Sequence, residues 1–288
     1  MSLHEVPSKK SSSSIFSEKM IHRTSNQNPL FFGMEVSAPW PKDLPNARII
    51  KESDRHVTLA FLGTVPYGQV KTFIPNLPLP PFPTGIVGTF DSCLFLPQHH
   101  PKVVAWHIQP IGKGESIISY QNILALFLTQ QGHKIDRSDF LPHVTLGRAP
   151  FLIRQWEKSF CPLPFYLHNF HLYESQGGLR YRAIWSHELL PPFKEIAHVA
   201  DFAFHLFGED LEQLSLHAQI ALAFKCKEIL PFLNTSLQVQ NIEELTIELN
   251  KIITQADQRV GIPFKGVSFH GDIKREKGVL VWEMVVDV

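Results

Sequence analysis

Cysteine is scarce in this chain, neither sign of charge is in excess, and no apolar stretch is long enough to cross a bilayer. Each shortage excludes something. The three cysteines, Cys93, Cys161 and Cys226, stand far apart. They therefore make neither a disulfide framework nor a C-x-x-C metal or redox pair, and a reducing cytoplasm is the expected location. With no apolar run near ~18 residues there is no membrane span to place, and a soluble protein is expected. Lys+Arg and Asp+Glu number 27 each, so the chain as a whole is no polycation seeking a polyanion. Apolar residues are plentiful: 44% of 288 residues are hydrophobic, with 22 Phe. That excludes an intrinsically disordered chain and suffices for two domains of ordinary size.

The even charge conceals a division at Pro191. Residues 1–190 carry 18 basic against 13 acidic residues, and residues 191–288 carry 9 against 14. A basic part joined to an acidic part suggests two modules with different partners, nucleic acid for the first. Residues 1–28 are rich in Ser, Lys and Asn, lack the apolar core of a signal peptide, and read as a flexible leader. Residues 29–190 read as an α+β unit. Strands are expected at Leu30–Val36, around Arg55–Gly63, and at Gly85–Leu96, Val103–Ile108 and Phe140–Gly147, with a helix over Glu115–Gln131. A hairpin of Phe165–Glu174 with Tyr181–Leu189, turning at Gly177-Gly178, closes the unit. The Pro-rich stretch Pro75–Pro83 excludes regular structure. After Pro191-Pro192 a second unit, 194–288, is expected: a strand His198–Leu206, an amphipathic helix from Leu211 to about Phe232, a helix Ile242–Ala256, and strands Phe264–Phe269 and Leu280–Val286.

The most informative feature is a duplication. Arg55-His56-Val57-Thr58-Leu59-Ala60 returns as Pro142-His143-Val144-Thr145-Leu146-Gly147, with the histidines 87 positions apart. A bare H-x-T arises by chance, as in His22-Arg23-Thr24, but the shared Val and Leu make this pair far more specific. In a strand, alternate side chains share a face. His56 and Thr58 then point one way while Val57 and Leu59 point into the core, and His143 and Thr145 do the same. Two such strands put two imidazoles on opposite sides of one groove, each with a hydroxyl beside it. One imidazole can take a proton from an attacking oxygen while the other gives a proton to the leaving oxygen. Thr58, Thr145 and the nearby Arg148 can hold non-bridging phosphate oxygens, and this acid–base scheme needs no metal.

Residues 30–190 resemble the two-histidine (2H) phosphoesterases, and among them the RNA 2′,3′-cyclic phosphodiesterases also called 2′-5′ RNA ligases. The resemblance runs through Phe32-Gly33-Met34-Glu35-Val36, the two H-V-T-L motifs with Phe61-Leu62-Gly63, Val103-Val104-Ala105-Trp106, Arg148 and Leu172-Tyr173-Glu174-Ser175. It implies a two-lobed, pseudo-symmetric α+β fold with His56 and His143 catalytic and Thr58, Thr145 and Arg148 binding phosphate. It further implies His143 as base and His56 as acid, RNA ends such as tRNA fragments as partners, and no cofactor.

The second unit, through His198-Val199-Ala200-Asp201-Phe202 at its start, Phe264-Lys265-Gly266 and the closing Val286-Asp287-Val288, resembles a shortened archease, an assistant of the GTP-dependent tRNA-splicing RNA ligase. This implies a cation site for Ca²⁺ or Mg²⁺ at Asp201 and Asp287, with Lys265 near it and His198 flanking, and such a ligase as partner. His99-His100 reads as an exposed loop without a third metal ligand, and Gly112-Lys113-Gly114 lacks the upstream Gly of a P-loop. Ser186-His187, as strand neighbours, point to opposite faces and form no dyad.

Overall fold

The computed structural model describes residues 28–288 apart from 113–114, 136–139, 199–200 and 269–270. The expected leader up to residue 27, with His22-Arg23-Thr24, lies outside the described residues, as do Val199 and Ala200. The first half of the chain forms β1 (Pro29–Ser37), β2 (Arg48–Ile49), β3 (His56–Thr64), α1 (Tyr67–Phe73), β4 (Ile86–Leu96), β5 (Val103–Pro110), α2 (Glu115–Gln130), β6 (His143–Arg148), α3 (Ile153–Ser159), β7 (Pro164–Ser175) and β8 (Tyr181–His187). The second half forms β9 (Phe193–Ile196), β10 (Phe202–Gly208), α4 (Leu211–Lys225), α5 (Ile242–Val260), β11 (Gly266–Ser268), β12 (Lys274–Glu276) and β13 (Val279–Asp287). No described helix is long and apolar enough to cross a membrane.

The first eight strands make one sheet in the order β1-β3-β6-β5-β4-β7-β8, with β2 against β6 and a further pairing of β1 with β7. Six strands thus close on themselves. The two ends of the closure differ in strength. On one side β4 and β7 share four residue pairs from Ile86↔Leu167 to Thr89↔Pro164, whereas β3 and β6 share a single pair, Val57↔Val144. The strands that carry the duplicated motif therefore touch at one point and part on either side of it. Phe32, Phe90, Trp106, Phe165 and Phe170 pack the interior, and each motif drives its Val and Leu into that core: Val57, Leu59, Val144 and Leu146 are buried.

Gly33 fits β1 against β3. A Cβ at this position would lie 2.7 Å from the Val57 carbonyl oxygen, closer than any side chain tolerates, so only glycine permits this approach. The hairpin at Gly177-Gly178 forms as expected, both glycines with positive φ (76° and 60°). In the first sheet and the helices around it, three elements lie outside the expectation: β2, α3, and α1, seven residues long and directly after the first motif.

The second sheet has the order β11-β13-β10-β9, with β12 also on β13. Its first strand is β9 at Phe193, and the next begins at Phe202 rather than His198. The helix expected from Leu211 to about Phe232 ends at Lys225; a 3₁₀ turn, Lys227–Phe232 with Pro231 inside it, follows Cys226. Nor is that helix amphipathic. Leu214 to Ala223 are all buried, because α4 packs on β10 and β13 of its own sheet, on α5, and on β4 and β7 of the first sheet. Its buried polar groups are satisfied: Gln219 donates to the Asn234 carbonyl (3.1 Å) and accepts from the Asn234 amide (2.7 Å). The second helix continues to Val260, where Gly261 (φ 66°) ends it. The two halves share this seam, with Thr84 Oγ1 donating to Gln213 Oε1 at 3.2 Å.

Candidate active site

The geometry of the motifs follows from their one shared pair. Because β3 and β6 run antiparallel through Val57↔Val144, one step outward sets His56 against Thr145 and Thr58 against His143. A local two-fold axis passes between the two valines. Each imidazole thus lies on the side of the other motif's hydroxyl, and the two imidazoles stand diagonally across the shared pair. The alternation expected from the sequence is present, with His56, Thr58, His143 and Thr145 turned away from the core.

The two-fold extends to the imidazoles' own partners. His56 Nδ1 lies 2.8 Å from the Asp54 carbonyl oxygen, and His143 Nδ1 lies 2.8 Å from the Leu141 carbonyl oxygen. A carbonyl only accepts, so Nδ1 carries the proton in both rings and Nε2 offers its lone pair. Burial pushes the His56 pKa down to about 4 against the pull of the Asp54 carbonyl and charge, and His143 lowers it further. Burial also holds His143 below its ordinary value, with His107 adding to the effect. Both imidazoles are consequently neutral near pH 7.

Arg148 reaches this face through an irregularity. Strict alternation from His143 would send a residue five positions on to the core side. Between the pairs Ala105↔Thr145 and Val104↔Gly147, however, β6 holds one extra residue. This bulge reverses the alternation: Leu146 and Gly147 are both buried and Arg148 is exposed. Two adjoining cavities result, both walled by Thr58 and by Phe61, which is 57% exposed. One is completed by Phe31, His56, Thr145, Arg148 and Tyr181, the other by Gln121, Lys134, Leu141 and His143. All five residues expected from the sequence to form the phosphate site line this one groove.

Several contributors lie outside the duplicated motif. Phe31, Tyr173 and Tyr181 enclose the His56 ring, with centroids 4.7, 5.1 and 4.7 Å away. A His–carboxylate pair flanks each motif on the next strand. His107, opposite His143 in β5, has its Nδ1 2.8 Å from Asp91. Glu35, opposite His56 in β1, stands 3.6 Å from His171 and 3.8 Å from His168, and His171 above all holds it below the usual carboxylate range. Ser186 is bonded to the His171 ring at 2.7 Å rather than to its neighbour His187.

The residues expected to hold a cation lie elsewhere, at one end of the second sheet. Phe202↔Val286 is the terminal pair of β10 with β13, so Asp201, in the bend just before β10, and Asp287, at the end of β13, sit one step past it. Each is engaged: Asp201 lies 3.6 Å from His198, and Asp287 accepts from Ser268 Oγ at 2.8 Å. Lys265 reaches the Val288 carbonyl at 2.7 Å. Among the described residues no group of three or more His, Cys, Asp or Glu is placed to hold a metal ion. Two carboxylates supply only part of the six to eight oxygens that Ca²⁺ takes, whereas Mg²⁺, which keeps several waters, is held by one or two.

No protein-family model matches this chain, and no curated protein does. Solved structures similar to it include E. coli LigT complexed with 3′-AMP, 21% identical over 56% of this chain and 98% of that one, with a TM-score of 0.43. A phosphoesterase is 22% identical over 57% of this chain and 99% of its own, with a TM-score of 0.42. TT0787 of Thermus thermophilus is 18% identical over 56% and 97%, with a TM-score of 0.41. At these levels of identity and TM-score, what the groove does is read from its own residues.

Proposed function

We propose that residues 29–190 form a two-histidine phosphodiesterase that opens the 2′,3′-cyclic phosphate at the end of an RNA strand, leaving a 2′-phosphate. One observation supports this most: two H-x-T strands joined only at Val57↔Val144, each with its imidazole Nδ1 tied to the carbonyl two residues before it. Both Nε2 atoms are thereby free on either side of one groove.

In the reaction a water oxygen attacks phosphorus while His143 Nε2 takes its proton. The bond from phosphorus to the ribose 3′-oxygen breaks, and His56 Nε2–H delivers a proton to that oxygen. The products are a 2′-phosphomonoester and a 3′-hydroxyl. Thr58, Thr145 and Arg148 hold the non-bridging oxygens and stabilise the charge gathered there in the transition state. His56 begins neutral, so the anionic phosphate loads the acid: an opposite charge within a few ångströms favours the imidazolium. The same steps with a 5′-hydroxyl end in place of the water would join ends by a 2′-5′ bond, and their reverse would break that bond and restore the cyclic phosphate. The two roles separate on a p-nitrophenyl phosphodiester, whose leaving group needs no proton. His56→Ala keeps most of its activity there and His143→Ala does not.

Phosphorus NMR of an RNA dinucleotide ending in 2′,3′-cyclic phosphate tests the reading. A 2′-phosphate signal is expected; a 3′-phosphate signal would refute the assigned bond cleavage. Turnover of small cyclic or 2′-5′-linked nucleotides alone would mark a nucleotide phosphodiesterase. Tight binding of the RNA end with no turnover would mark an end-binding protein that assists a ligase. For the second unit, an archease-like role beside a GTP-dependent RNA ligase rests on the resemblance of its two ends, and co-purification with such a ligase tests it.

A further inference from the structure

Beside the groove stands a further cation that the duplicated motif does not announce. In the ladder of β2 with β6, Arg48 stands directly opposite Arg148. Opposed residues of an antiparallel ladder present their side chains to the same face, ~5 Å apart at Cβ. Both arginines are exposed, and among the described residues neither has a carboxylate partner. Arg182, by contrast, is paired with Glu174 at 2.8 Å. Like charges placed face to face repel, and the arrangement is favourable when an anion lies between them or along them.

The short strand that carries Arg48 is held firmly. The Ile50 amide donates to the Leu146 carbonyl at 2.8 Å, and the Ile50 side chain is 1% exposed. Gly147 lets the strand come close, since a Cβ there would already be 3.0 Å from that of Ala47. Arg148 lines the cavity with His56 and Thr145, so Arg48 extends the same positive charge one strand outward from the reacting phosphate.

We propose that Arg48, beside Arg148, forms a subsite for the next phosphodiester along the strand, and that the substrate is an oligonucleotide rather than a mononucleotide. This rests on the phosphodiesterase reading of the groove and adds what that reading leaves open, the length of the substrate. A guanidinium fork suits a phosphate that has two free oxygens, and a cyclic mononucleotide offers Arg48 no such phosphate beyond the reacting one that Arg148 meets.

The test uses the full chain and two substrates with the same reactive end, adenosine 2′,3′-cyclic phosphate and a trinucleotide ending in it. The readout is the ratio of their kcat/KM values. Wild type is expected to favour the trinucleotide; Arg48→Ala is expected to reduce that ratio about tenfold, and Arg48→Lys to restore part of it. The slope of log kcat/KM against log salt for the trinucleotide should shrink by about 0.7 in Arg48→Ala, one phosphate contact on a single strand. An unchanged ratio, whether both rates fall or neither does, overturns the subsite while leaving the phosphodiesterase intact. Should wild type hydrolyse neither substrate, the phosphodiesterase reading fails, and fluorescence anisotropy with a labelled RNA pentamer decides the subsite by itself. Affinity about tenfold weaker in Arg48→Ala supports it, and equal affinity overturns it.

Discussion

Replacing His56 by Asn separates the histidine's titration from its hydrogen bond. The Asn side chain keeps an N–H donor where Nδ1 meets the Asp54 carbonyl at 2.8 Å, but it takes up no proton. In the folded protein His56 titrates near 4 instead of 6.5, chiefly through burial. Below pH 6.5 the unfolded chain therefore gains a proton at this position that the folded protein refuses. The stabilising contribution is complete above pH 6.5 and is lost as pH falls toward 4. Its full size is about 3 kcal/mol at ~1.4 kcal/mol per pH unit, and nearer 2 kcal/mol once water in the groove is allowed for. Urea unfolding at pH 7.5, 6.5, 5.5 and 4.5 measures it. His143, His168, His133 and His217 are also held low by burial and weaken both proteins alike in acid, so the difference between the two curves carries the result. His56→Asn should gain about 2 kcal/mol on wild type between pH 7.5 and 4.5. Parallel curves would mean that His56 is fully hydrated, and the enclosure by Phe31, Tyr173 and Tyr181 would be refuted.

Other substitutions probe the frame around the groove. Gly33→Ala drives a methyl against the Val57 carbonyl and should cost about 2–4 kcal/mol in thermal melts, with activity falling as β3 shifts; an unchanged melt would contradict the close approach. Thr58→Val and Thr145→Val keep the shape and remove one hydroxyl each, so kcat should drop ~10–100-fold with melting unchanged, and undiminished kcat would remove them from phosphate binding. Arg148→Lys should retain less than a tenth of kcat/KM, since an ammonium cannot replace a two-pronged contact; full activity would make that residue a mere point charge. Asn250 pairs both the amide and the carbonyl of Val267, at 2.6 and 3.1 Å. Asn250→Ala should cost about 2 kcal/mol by loosening β11 while hydrolysis in the distant groove continues; no change in stability would show the strand held by β13 alone.

Much of the groove was legible because alternation is a strong signal. His56, Thr58, His143 and Thr145 face it for the reason the H-V-T-L pattern implies: a strand with Val and Leu in the core has only one other side. Arg148 was picked out by spacing that strict alternation contradicts, and the extra residue in β6 is what brings it round; no composition marks such a bulge. The backbone carbonyls of Asp54 and Leu141, which settle the tautomers, have no sequence signature at all. Arg48 was equally silent, since a two-residue strand shows no period. The long helix failed for a physical reason. Ser215, His217 and Gln219 interrupt the apolar run along the chain, but α4 is covered on every side by two sheets and a helix, and its buried polar side chains are satisfied internally. Periodicity reports one buried face and cannot report burial all round.

The measurement that bears most directly on the two-histidine account is hydrolysis of an oligonucleotide ending in 2′,3′-cyclic phosphate, in EDTA, by wild type, His56→Ala and His143→Ala. Wild type should yield the 2′-phosphate without added metal, and each variant should lose at least about 10³-fold in kcat with its melting temperature little changed. Either variant turning over at the wild-type rate, or a wild-type activity that disappears in EDTA, would contradict proton transfer between these two imidazoles as the chemistry of the groove.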